Sequence, residues 1–338
     1  MSATSLLLPN MAQAASAQDD TLIRPAALKK GDTIGLITPA SAVSREAFEK
    51  AVSNLEELGF KVKFSENMSV RKGFLAGTDQ QRLDDLHAMF SDPEVDGIVC
   101  ARGGYGSGRL LPEIDYELIK ANPKVLIGYS DITALLFGIY QKTGMACFHG
   151  PVGASDYSEF TTKAFEQVLM KGKSQVKFER PKAWEAIEDV AYEYIEVVAG
   201  AAEGALVGGN LSLICSLMGT PYDIDFTDKM VFVEEVGESP YRLDRMLTQL
   251  LNSGKLSKAK GLVMGVFSGC ETKPGDPDYG LSTSLKNVLI DRFSKLNIPV
   301  VYGMPIGHIG DNATLPFGVQ AALDTEKRTL TLLDSAVL

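Results

Sequence analysis

From Leu28 onward the chain alternates short β-branched runs with segments of helical period, and this alternation restricts the fold more than any other feature. DTIGLITPAS gives way to SREAFEKAVSNLEELGF, whose apolar residues recur at helical spacing, and then to KVKFSE. Thr78 and Gln81 make a capping box for DQQRLDDLHAMF, and GIVCARGG is a short buried strand ending in glycine. VLIGYS with its amphipathic helix, then MACFHGPV, complete the series. Strands separated by helices predict a parallel sheet with helices on both faces, and ligands collect at the carboxyl ends of such strands. Arg102-Gly103-Gly104 and Ser130 both fall at predicted carboxyl ends.

A chain of 338 residues exceeds the usual size of one domain, so two are predicted. Residues 28–155 form an N-terminal α/β domain. Around 156–203 the pattern loosens into the charged run FERPKAWEAIEDVAYEYIEVV, read as an interdomain crossing. Residues 204–338 form a C-terminal domain of mixed α/β character, in which ALVGGNLSLICSLMGTP, MVFVEEVG, a helix opening at Ser239-Pro240, GLVMGVFSG, SLKNVLIDRFSKLN and PVVYGM precede a closing hairpin, GVQAALDTEKRTLTLLD.

Residues 1–27 read as a disordered tail or the remnant of a leader. Ala15-Ser16-Ala17 suits a signal-peptidase site, but no Lys or Arg precedes Arg24 and the apolar core is only Leu6 to Leu8. The expectation is a cytoplasmic protein, or a periplasmic one if this segment is what remains of an export signal. No apolar run approaches bilayer-spanning length. The formal net charge of -10, with no concentrated Lys/Arg block, argues against nucleic acid and for a small or peptide-like ligand. Cys100, Cys147, Cys215 and Cys270 lie far apart without a C-x-x-C pair, which points to free buried thiols.

VLIGYSDITALLFGIY, Val125 to Tyr140, places one serine between a strand and a helix, the setting of a nucleophile elbow. Gly128-Tyr129-Ser130-Asp131-Ile132 keeps the first glycine of G-x-S-x-G and lacks the second. A helix N-cap is the plainer reading of Ser130 from this window alone. A reactive serine also needs a base and a group to orient it. Of the three histidines, His87 lies in a predicted helix, while His149 in HGP and His308 in MPIGHIGDNATLPFG follow strands; the glycines flanking His308 put it ahead of His149. The carboxylate candidates are Glu234, Glu235 and Glu238 of FVEEVGE, with Glu238 read as a solvated residue at a helix start. Gly103 to Gly108 breaks the G-x-G-x-x-G spacing at Arg109 and has no Lys-Ser/Thr pair, so backbone donors for an oxyanion or carboxylate are the better reading of this loop.

Together, ARGGYGSGRLL, IGYSDITALL, HGP, GGNLSLICSLMGTP, FVEEVGESPYRLDRMLTQL and GHIGDNATLPFG resemble the LD-carboxypeptidase family of serine peptidases, which includes the microcin C immunity peptidases. The resemblance runs from about Leu28 to Leu333. It implies a flavodoxin- or amidotransferase-like parallel-sheet domain carrying the nucleophile elbow, followed by a smaller mixed α/β domain. It further implies a Ser130–Glu234–His308 triad that cleaves the bond to terminal D-alanine in murein tetrapeptides, without metal or cofactor, in a homodimer. The backbone of Asp131 and Gly104 is then expected to hold the oxyanion, and Arg102, Gly103 and Tyr105 the substrate, with Arg102 on its terminal carboxylate. The alternatives are a peptidyl-nucleotide amidase, in which Trp184 could stack on a base although packing is the plainer role, and a two-lobed solute-binding module.

Overall fold

The computed structural model describes residues 22–338 apart from 273, 276–278 and 280–281. Most of the expected tail thus lies outside the described residues. Its last part does not behave as a tail: Ile23 bridges Met145, and the Ala27 N–H donates to the carbonyl of Leu338.

The first sheet is built as the alternation dictates. Strands β1 (Thr33–Ile37), β2 (Lys61–Phe64), β3 (Gly97–Cys100), β4 (Val125–Gly128) and β5 (Phe148–His149) are joined by helices α1 (Arg45–Glu57), α2 (Asp79–Ser91), α3 (Tyr116–Ala121) and α4 (Ile132–Thr143). The Thr78/Gln81 capping box starts α2. These five strands are parallel in the order β2-β1-β3-β4-β5, so the order reverses between β1 and β3. A crevice opens at such a reversal, outside the carboxyl ends of the strands.

Beyond α5 (Glu159–Phe165), the second sheet takes strands β6 (Val176–Glu179), β7 (Ile195–Val198), β8 (Ala201–Asn210), β9 (Lys229–Val236), β10 (Gly261–Ser268) and β11 (Val300–Met304), with helices α6 (Leu211–Leu217), α7 (Pro240–Asn252) and α8 (Leu285–Phe293) between them. Chain 156–203 is therefore more than a crossing, because β6 and β7 form the two edges of this sheet. After β12 (Leu315–Pro316), β13 (Gln320–Asp324) and β14 (Thr329–Leu332) close the chain as the expected hairpin. The eight strands run β6-β14-β13-β8-β9-β10-β11-β7, parallel from β8 to β11 and antiparallel outside them.

The two halves share one core. Strand β12, though it comes late in the chain, pairs with β5 and completes the first sheet. Phe317, just after it, meets Phe137 of α4 and Phe232 of β9, with centroids 5.7 and 6.1 Å apart. Helix α4 is consequently buried over Ile132–Ile139 rather than amphipathic, since the second half covers the side expected to face water. Close approach depends on Gly209: at φ 150° a Cβ there would lie 2.6 Å from Thr133. The Asn210 N–H donates to Thr133 Oγ1 at 3.0 Å across the same contact. All four cysteines are free and buried.

Candidate active site

Ser130 has φ 63°, the left-handed region that a non-glycine residue enters only under constraint. That is the backbone of an elbow, not of an N-cap. The cap position belongs to Asp131, whose buried carboxylate accepts the Ser107 N–H at 2.8 Å instead of capping α4. Ser130 itself remains half-buried at the end of β4.

The loops after β1 and β3 meet beside it, at the strand-order reversal. The Ser41 N–H donates to the Gly103 carbonyl, and the Tyr105 N–H donates to Ser41 Oγ at 3.1 Å. A Cβ on Gly103 would stand 2.9 Å from Ser130 Cβ, so only glycine lets this loop lie against the serine. Gly104 (φ 110°) turns the chain there. Among the described residues, the N–H groups of Gly104 and Asp131 have no hydrogen-bond partner. Arg102 and Tyr105 are exposed; Arg102 donates to the Ala42 carbonyl, and Tyr105 leans edge-on against Phe74.

Glu234, near the end of β9, is wholly buried, and its Oε2 lies 2.7 Å from His308 Nδ1. That bond leaves Nε2 as the ring nitrogen turned away from the carboxylate. The His308 ring reaches the elbow, packing edge-on against Tyr129, the residue before Ser130, at 4.7 Å between centroids. Burial alone would push the Glu234 carboxyl up, but the imidazoles of His149 and His308 reverse this and hold it well below the usual carboxylate range. For His308, burial lowers the pKa, and the hydrogen bond and charge of Glu234 outweigh it, so the imidazole ends above its ordinary value.

The other candidates have structural partners. His87 Nε2 accepts the Asp115 N–H at the start of α3. Glu235 accepts from Asn210 Nδ2 and from the N–H and hydroxyl of Ser212, which anchors the start of α6. Glu238 pairs with Arg242. Trp184 is buried, with Nε1 donating to Asp311 at 2.9 Å and Tyr192 against its ring. Among the described residues, no group of His, Cys, Asp and Glu could hold a metal ion.

Sequence reasoning missed what holds the His308 loop. The Gly307 N–H donates to Asn312 Oδ1, and the hydroxyl of Thr161 on α5 donates to the Gly310 carbonyl while accepting the Asn312 N–H. Ser158, the cap of α5, donates to the second oxygen of Asp311 at 2.6 Å. The spacing of Ser158 and Thr161 signals a helix start, but nothing in it points to residues 310–312.

Comparison with known proteins identifies the family. The LD-carboxypeptidase N-terminal domain matches residues 34–150, and the LD-carboxypeptidase C-terminal domain matches 203–323. The chain is 40% identical to the probable murein peptide carboxypeptidase of Bacillus subtilis, over 90% of this chain and 93% of that protein. It is 32% identical to the murein tetrapeptide carboxypeptidase of Pseudomonas aeruginosa, over 86% and 92% respectively. The structure of MccF in complex with glutamyl sulfamoyl guanosine superposes with a TM-score of 0.83 at 25% identity, covering 94% of this chain and 100% of that one. With both family domains matched in order across two α/β halves, the chain belongs to the LD-carboxypeptidase family and is a peptidase.

Proposed function

We propose that the protein is a serine carboxypeptidase that removes terminal D-alanine from murein tetrapeptides, with Ser130 as nucleophile, His308 as base and Glu234 as its orienting carboxylate. The observation that carries this reading is the 2.7 Å contact between His308 Nδ1 and buried Glu234, on a ring packed against the residue preceding a strained serine. His308 Nε2 takes the Ser130 proton as Oγ attacks the peptide carbonyl. The N–H groups of Asp131 and Gly104 stabilise the oxyanion. The imidazolium returns the proton to the amine of D-alanine, which leaves; water, activated by the same imidazole, then releases the acyl group. Arg102 engages the substrate's terminal carboxylate, and Gly103 and Tyr105 line the approach.

This reading places the reaction in the cytoplasm, with export as the alternative, and expects a homodimer. Among the described residues, no helix is long and apolar enough to cross a membrane. A peptidyl-nucleotide amidase is the second reading, supported by the likeness to MccF bound to a sulfamoyl nucleotide. The burial of Trp184 leaves little ring face for a base and favours the murein peptide. Because the family is one of peptidases, the binding-module alternative is not carried further. Incubation with murein tetrapeptide and with a peptidyl adenylate, followed by mass identification of products, separates the two readings. Released D-alanine, absent with Ser130→Ala, is the expected result; cleavage of the adenylate alone refutes the first reading.

A further inference from the structure

Glu234 has an oxygen that His308 does not use. Oε1 is buried and has no hydrogen-bond partner among the described residues. What faces it is His149 Nε2, 3.8 Å away, on an imidazole that is itself 0% exposed and has neither nitrogen hydrogen-bonded among the described residues. Buried polar atoms without partners are uncommon, and here three of them gather around one carboxylate of the active site.

The position of His149 is fixed independently of that carboxylate. In β5 its backbone lies between Gly128, two residues before Ser130, and Leu315 of β12. Its ring stands edge-on to those of Tyr129 and Phe232, at 6.0 and 5.2 Å between centroids. The ionisable groups around it are Glu234 itself, Tyr129 on the elbow and His308 beyond the carboxylate; Glu235, next along β9, is committed to Asn210 and Ser212.

We propose that His149 is a positioning residue for the triad, its Nε2–H directed at Glu234 Oε1 so that the carboxylate is held between two imidazoles and presents Oε2 to His308 in one orientation. The proposal rests on the assignment of Ser130, His308 and Glu234 made above. A carboxylate contacted from one side can turn about its terminal bond; one contacted from both sides cannot, and the ring it orients inherits that rigidity. His149 also offsets part of the carboxylate's charge, which tempers the hold of Glu234 on the His308 proton.

The test compares H149Q with H149N, two polar replacements that avoid leaving an apolar void. The glutamine amide nitrogen reaches the place of Nε2, and the asparagine amide nitrogen reaches that of Nδ1. H149Q is expected to keep kcat within about threefold of wild type, whereas H149N loses about thirtyfold in kcat with little change in KM. In H149N the acid limb of kcat/KM moves to higher pH, and the low-field proton resonance of the His308–Glu234 hydrogen bond shifts or broadens. Wild-type kcat and an unmoved limb in H149N overturn the proposal, as do equal losses in both variants with an unmoved limb, which mark packing alone. Turnover by H308A would instead refute the triad itself; an inactive H308A beside an unaffected H149N refutes only the part given to His149.

Discussion

Replacing Glu234 by glutamine keeps the shape of the side chain and removes the charge on which His308 depends. The carboxylate is fully buried and the imidazole largely so, with 2.7 Å between the bonded atoms. At a charge separation of about 4 Å and an effective dielectric constant of about 20, the attraction between carboxylate and imidazolium is about 4 kcal/mol. In the active form, with His308 neutral, the imidazolium appears only as the serine proton moves, so this attraction acts on the transition state more than on the ground state. Its loss corresponds to about a thousandfold in kcat. Glutamine can also offer its N–H₂ to Nδ1, which favours the tautomer with the proton on Nε2, where the base must be free; this extends the loss toward about ten thousandfold. KM should change little, because no substrate group is assigned to Glu234.

A second readout separates this from general damage. Glu234 is what raises the His308 pKa against burial, so in E234Q the remaining effect of burial should carry the acid limb of kcat/KM below the ordinary imidazole range. Steady-state kinetics with murein tetrapeptide from acid to alkaline pH measure both effects. Activity within about tenfold of wild type, with the limb in place, would refute the assignment of Glu234.

The remaining expectations concern the elbow, its neighbouring loop, the His308 loop and pH. Gly103→Ala drives a Cβ to 2.9 Å from that of Ser130 and should lower kcat by about a hundredfold with little change in melting temperature, as kinetics and calorimetry will show. Both Ser130→Ala and Ser130→Gly should abolish turnover, but glycine tolerates φ 63° and alanine does not, so S130G should unfold at the higher urea concentration, by about 1 kcal/mol. Asp311→Ala removes the acceptor of both Ser158 and Trp184, and should cost about 2 kcal/mol in urea unfolding along with at least tenfold in kcat. The lowered pKa of Glu234 contributes stability above pH 4.5 that is lost as the pH falls toward about 2, whereas the raised pKa of His308 contributes below pH 6.5 and is lost as pH rises through its folded value. Urea midpoints across pH should therefore decline on both sides in wild type, and the alkaline decline should shrink in H308A.

The first sheet was legible because its inner strands β1, β3 and β4 are apolar and almost wholly buried and α1 and α2 open with side-chain caps, so the strand–helix alternation could be read even where α4 proved more buried than its pattern suggested. The edges of the second sheet were not. β6 pairs with β14 and β7 with β11, more than a hundred residues on in each case, and the charged residues in and between these short strands read as a linker until the partner strands are present. At the candidate site, residue types alone left Ser130 between cap and nucleophile and Glu234 level with Glu235; the family resemblance singled out Ser130, Glu234 and His308. The left-handed backbone of Ser130 could not be read, since it goes with the close approach of the distant Gly103 loop to the serine. His149 stood behind His308 as a candidate base in the sequence, and only its contacts with Glu234, Tyr129 and Phe232 show that it is enclosed beside the carboxylate.

The loop carrying His308 leaves β11 in one sheet and enters β12 in the other, and this has a consequence for inheritance. A chain cut between its two halves would leave the first sheet without its last strand and expose the backbone edge of β5, a surface prone to pair with other chains. The halves therefore cannot be exchanged between relatives as independent modules unless β12 and the loop before it travel with a compatible β5. Recombination at the apparent boundary should yield insoluble chimeras wherever the incoming β12 does not fit the resident β5.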